Sequence, residues 1–287
     1  MQKLGSKSLK AEEVGYMKRK WLKNVLKGLW VGSTMTVPGV SGGTMAVVVG
    51  IYEELIHAIN GLKDNFKIHM IFLLQFVLGA GTGFLVFARI ITALLDNVIM
   101  GGLTRLFFCG VVIGGIPLLV RKSGIEKLAF RHIVSLCIGA AIVLGLLLLP
   151  TGMFVTGSGV TFWILQFIGG IIVAIALILP GISVTHILYI MGLYEVVLQR
   201  VYELQWLSLV PLAAGVLVGT FLTADILEKG IQKYPEEVYM AIIGFVASSL
   251  VNLIPTESLE MPVMGIGLAI AGFLGMYMLS KKAGEQI

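Results

Sequence analysis

The sequence predicts an all-α integral membrane protein built from two copies of one unit, the second inserted upside down relative to the first. Three observations lead there: an apolar composition, a duplicated Pro-Gly motif, and basic residues concentrated in alternate loops. Of 287 residues, 57% are hydrophobic and 13% are charged. A soluble domain carries roughly 25% charged residues. A water-soluble fold of this composition would lack polar surface. The runs Ile133 to Leu149 and Val263 to Leu279 hold no charge, and each approaches the roughly 20 residues needed to cross a hydrocarbon core.

Taken in chain order, residues 1–27 form a basic segment without an apolar core and small-residue cleavage site. They are expected to remain in the mature protein and on the cytoplasmic side. Only ten residues separate Lys27 from Pro38, about 15 Å of helix, which reaches mid-bilayer and no further. Residues 28–56 are therefore read as a re-entrant hairpin entering from the cytoplasm, breaking between Pro38 and Gly43, and returning. Spans follow at about 70–95, 104–120 and 132–150, completing a first repeat over 28–150. The second repeat, 151–287, has a hairpin at 162–198 entered from outside, then spans at about 207–225, 238–255 and 263–280. That gives two hairpins and about six full spans. The arm from Phe162 to Leu179 is itself long enough to cross most of the bilayer, so a kinked full span is the alternative there.

The duplication is explicit. Val37-Pro-Gly-Val-Ser41 precedes Gly50-Ile-Tyr52-Glu53, and Leu179-Pro-Gly-Ile-Ser183 precedes Gly192-Leu-Tyr194-Glu195, at an offset of 142. Downstream, Gly79 and Gly83 correspond to Gly215 and Gly219, and Gly110 to Gly244. A Pro-Gly pair inside an apolar stretch removes a helical donor and admits backbone angles that a continuous helix excludes. Irregular backbone at membrane depth must line a cavity or lie buried in protein. The topology places 18 of the 21 basic residues inside, in keeping with the positive-inside rule. Three crossings per copy invert the second copy, as in many secondary transporters whose broken helices meet near the midplane.

At these motifs the chain resembles the PopT family of bacterial polyprenyl-phosphate translocases. The segments carrying the resemblance are Pro38-Gly-Val-Ser-Gly-Gly-Thr44 with Gly50-Ile-Tyr-Glu53, and Leu179-Pro-Gly-Ile-Ser183 with Gly192-Leu-Tyr-Glu195. The resemblance implies return of undecaprenyl phosphate from the outer to the inner leaflet of the cytoplasmic membrane. Val184, Thr185 and His186 stand where the family's second motif usually runs Gly-Ser-Phe.

The residues themselves suit an anionic headgroup. Helix N-termini offer unpaired N–H donors and the positive end of the peptide dipole. Two such ends are expected at Ser41, Gly42, Gly43 and Thr44 and at Ser183 and Thr185. The competing reading is that these small residues only admit close helix packing. Arg89 and Arg105 flank the loop placed outside and could pair with phosphate, or else snorkel or pair with Asp96. Glu53 and Glu195 recur after each hairpin, and His186 sits beside the second break. These three are candidates for coupling to H+ or Na+, or for structural roles. Cys109 and Cys137 lie in apolar runs and suggest neither a disulfide nor a metal site. No cofactor, metal or nucleic-acid partner is expected.

Two other functions stay open: an ion-coupled carrier of a small anionic solute, and a membrane enzyme acting on polyprenyl phosphates. The enzyme would need a nucleophile with an acid-base partner, or a metal, and the sequence offers no such cluster. It favours moving a ligand over catalysing a reaction.

Overall fold

The structure, a computed structural model, describes residues 21–37, 39–152, 159–255 and 261–284. The expected turn at Pro38, most of the basic N-terminal segment, and parts of the loops after residues 152 and 255 lie outside the described residues. All regular structure among the described residues is helical, because a backbone in hydrocarbon must satisfy its own hydrogen bonds. Helix α1 covers 21–34. It is followed by α2 (Gly42–Val48), α3 (Tyr52–Gly61), α4 (Phe66–Leu95), α5 (Val98–Ser123) and α6 (Phe130–Leu147). The second half contains α7 (Val160–Ile178), α8 (Val184–Met191), α9 (Tyr194–Tyr202), α10 (Val210–Lys233), α11 (Pro235–Ser249) and α12 (Pro262–Gly284). Short 3-10 turns occupy Trp206–Leu209 and Leu250–Leu253.

Seven helices among the described residues are long and apolar enough to cross a membrane, against the six full spans expected. The additional one is α7, whose 19 residues make about 28 Å of helix, close to a hydrocarbon core. The first expected hairpin also differs in detail. Its return arm, α2, is only seven residues long, and the chain then turns by 111° into α3.

Local chemistry sets the ends. Asn97 caps α5 by accepting the Met100 N–H at 3.0 Å, and Gly124 closes that helix with a left-handed φ of 70°, an angle that favours glycine. The Pro-Gly breaks behave alike in the two halves: Gly39 and Gly181, 142 residues apart, have φ of 88° and 84°. Gly50 and Gly192, at the same offset, have φ of 73° and 70°.

Packing repeats as well. A Cβ added to Gly79 or Gly83 of α4 would lie 2.1 Å from the carbonyl oxygen of Val25 or Leu29 in α1. In the second half, a Cβ on Gly215 of α10 would lie 2.0 Å from the Phe167 oxygen in α7. The backbones touch because the side chains are missing, a packing mode suited to lipid, where no hydrophobic force drives helices together. The remaining long helices pair across the two halves. Gly110 of α5 abuts Ala269 of α12, and Gly244 of α11 abuts Leu136 of α6. The second helix of each copy thus packs on the third helix of the other. In the middle lies α2, with Met45 and Val48 fully buried, while α4 turns residues such as Leu78 and Leu85 outward.

Candidate functional site

The two Pro-Gly breaks converge. The Thr44 hydroxyl oxygen, itself 2% exposed, accepts the backbone N–H of Gly181 at 2.8 Å. A Cβ on Gly43 would touch Pro180. The Tyr52 hydroxyl donates to the Ile178 carbonyl at 2.8 Å. These bonds tie the first half's broken segment to the end of α7, where Ile178 leads into the second break. Buried backbone groups need partners, and here side chains of one copy supply them to the other.

Beside this junction lies a cavity of about 540 Å³. Ser41, Gly42 and Gly43 line it from the first break, and Ser183, Thr185 and His186 from the second. Arg105 of α5 reaches it from the side, and α6 contributes Val143, Leu146 and Leu147. Among the described lining residues, Arg105 is the one with a permanent charge. Its Nε is buried without a hydrogen-bond partner, and no carboxylate among the described residues lies within ion-pair distance. An uncompensated cation in such a place is costly. The rest of the wall is apolar or hydroxylic apart from the His186 ring and the Asn252 amide.

The other sequence candidates separate from this group. Arg89 is exposed on α4 and does not line the cavity. Neither arginine pairs with Asp96 among the described residues. Thr44 spends its hydroxyl on Gly181. Glu53 forms an ion pair of 2.9 Å with Lys122, and Glu195 lies exposed on α9. His186 Nε2 lies 3.2 Å from the Leu146 carbonyl. A carbonyl only accepts, so Nε2 is the donor in this contact. Ser183 accepts a long 3.4 Å bond from the His186 N–H, whereas Ser41 makes no capping bond. Sequence reasoning missed Tyr189 and Asn252, which also line the cavity. Neither carried a signal: Tyr189 follows Ser183 by six residues, about 600° round the helix and off its face, and Asn252 stands outside any motif.

Residues 31–265 match a family described as undecaprenyl phosphate translocase-like. The chain belongs to that family. Among its curated relatives, a polyprenyl-phosphate transporter of Staphylococcus aureus is 29% identical over 280 residues, covering 93% of this chain and 98% of the relative. A polyprenyl-phosphate transporter of Vibrio cholerae is 30% identical over 250 residues, 82% of this chain and 78% of the relative. No solved structure matches the chain. For a member of the undecaprenyl phosphate translocase-like family, the combination to explain is a cavity between apolar helices with hydroxyls from both breaks and a guanidinium that has no carboxylate partner among the described residues.

Proposed function

We propose that the protein transports polyprenyl phosphate across the bacterial cytoplasmic membrane, returning undecaprenyl phosphate from the outer to the inner leaflet, with the phosphate seated in the cavity against Arg105. The observation that carries this reading is the buried, unpartnered Nε of Arg105 in a cavity between two broken segments. A phosphate entering hydrocarbon without compensation is very costly, and a guanidinium with hydroxyls replaces the lost water. The family membership and the names of the two relatives support the same lipid class.

The basic residues put both termini and the Lys122 end of α5 in the cytoplasm, following the positive-inside rule. Arg105 then lies in the outer half of the membrane. In that orientation an anionic lipid moves toward the negative side. The membrane potential opposes each charge by about 2.3 kcal/mol per 100 mV, so an accompanying H+ or Na+ is part of the proposal.

The test is transport in sealed liposomes carrying a short polyprenyl phosphate, with outer-leaflet headgroup exposure as the readout. The parental protein should deplete the outer leaflet and Arg105→Gln should do so slowly. Release of inorganic phosphate by pure protein, or equal rates for the two proteins, would overturn the reading.

A further inference from the structure

The cavity occupies one end of the molecule, and the ion pairs between the two copies among the described residues occupy the other. Arg105 lies in the first third of α5 and Leu146 near the end of antiparallel α6, so the cavity sits toward the end where α5 begins and α6 finishes. At the opposite end, Arg131 and His132 of α6 bind Glu236 of α11 at 2.5 and 2.8 Å. There too, Glu228 of α10 takes His57 Nδ1 at 2.8 Å and the Asn60 amide at 2.5 Å, both from α3. Every ion pair between the two copies among the described residues lies at this end.

The two ties differ in kind. Helices α6 and α11 are in backbone contact through Gly139 and Gly244, so the Glu236 tie joins elements already held together. The short helix α3 packs on α10, with Ile56 and Ala224 in one apolar core, and the Glu228 carboxylate adds the polar ties to His57 and Asn60. At the cavity end the mirror of this fastening is missing. The repeat offsets set Gln199 at the position of His57, Tyr202 at that of Asn60, and Thr92 at that of Glu228. None of those three is a carboxylate.

The geometry points to Glu228, His57 and Asn60 as a latch that holds the end away from the cavity shut, and whose release opens the mirror pathway for the headgroup to leave. This rests on the transport reading proposed above. The closed mirror pathway can be named. Val47 is the repeat counterpart of Tyr189; Tyr189 lines the cavity and is 42% exposed, whereas Val47 is 3% exposed. Releasing the latch should exchange those environments, since removing a contact made in only one state shifts the population toward the other.

The experiment uses the full chain in lipid nanodiscs with Cys109→Ala and Cys137→Ala, and a single reporter, Val47→Cys or Tyr189→Cys, read by the rate of thiol labelling. Adding Glu228→Gln should raise labelling at Val47→Cys about tenfold, the factor that about 1.4 kcal/mol represents, and lower it at Tyr189→Cys. Unchanged rates at both reporters would overturn the latch. A second arm joins His57→Cys to Glu228→Cys with a cleavable bifunctional thiol reagent in the transporting liposomes. Transport should stop on cross-linking and resume on cleavage, and complete cross-linking with parental transport would overturn the proposal even if Glu228→Gln fails to fold. If the parental chain moves no polyprenyl phosphate, the transport reading fails, while the labelling arm still reports on the latch.

Discussion

Thr44→Val removes one acceptor and almost nothing else. Valine keeps the branched shape, so the site 2% exposed at Thr44 stays filled, but the Gly181 N–H loses the oxygen that stood 2.8 Å away. Gly181 is buried and holds a φ of 84°, with the Phe245 backbone close enough that a Cβ at Gly181 would lie 2.3 Å from its oxygen. The valine methyl takes the hydroxyl's place beside this N–H, so the donor meets carbon where it had an oxygen. A buried donor left unpaired costs about 1–3 kcal/mol. Thr44→Ser is the control: it keeps the oxygen and loses one methyl group, worth about 0.8 kcal/mol. Reversible unfolding of both variants in mixed micelles should rank the parental protein above Thr44→Ser and Thr44→Ser above Thr44→Val. A valine variant as stable as the serine variant would refute the claim that this bond fastens the two breaks together.

Loss of charge at the cavity should matter far more than loss of charge on the outer face of α4. Arg105→Gln should slow transport about tenfold or more, the scale of a charge-assisted hydrogen bond, while Arg89→Gln should transport close to the parental rate in the same liposome assay. Tyr52→Phe deletes the hydroxyl that donates to Ile178 and should destabilise by about 1 kcal/mol in the unfolding assay. Gly215→Ala places a methyl 2.0 Å from the Phe167 oxygen, forcing α7 and α10 apart. Overpacking of this kind costs about 1–3 kcal/mol, which thermal denaturation in nanodiscs would register.

Much of the backbone plan was written in the repeat. The offset of 142 located both Pro-Gly breaks, and the positive φ angles of Gly39 with Gly181 and Gly50 with Gly192 follow from glycines standing where the chain must turn. The pairing of α5 with α12 and of α6 with α11 was not legible. Glycines mark a face for close approach but do not name the helix that approaches. The arginines show the same limit. Both flank one loop, so position alone made them equal candidates. The helix face could have separated them: Arg89 follows Gly83 by six residues, roughly 600° of turn at 3.6 residues per turn, which carries it well round from the glycine face buried against α1. Asn252 sits in a 3-10 turn at the end of a long apolar helix, where no periodicity announces a cavity. The ion-paired ends around Glu228 and Glu236 were equally silent, since charged residues at span ends ordinarily meet water.

The two copies keep common backbone devices and diverge in chemistry. Under the repeat offsets, Arg105 faces Tyr239, His186 faces Thr44, and Arg89 faces Asp225. Tyr239 is buried and carries no cation to replace Arg105 at the other end. Under the transport reading proposed above, a phosphate is held more tightly on the Arg105 side than on its mirror side. That difference cannot set a direction, because a ligand shifts an equilibrium only through its differential affinity for the two states, and that coupling is reciprocal. A deeper well on one side speeds capture there and slows release there in proportion. The ratio of inward to outward flux is set by the lipid concentrations in the two leaflets and by any ion that travels with the phosphate. Under that same reading, Arg105 governs how efficiently scarce lipid is captured from its own side, and the unequal halves tune rates while the gradient supplies the direction.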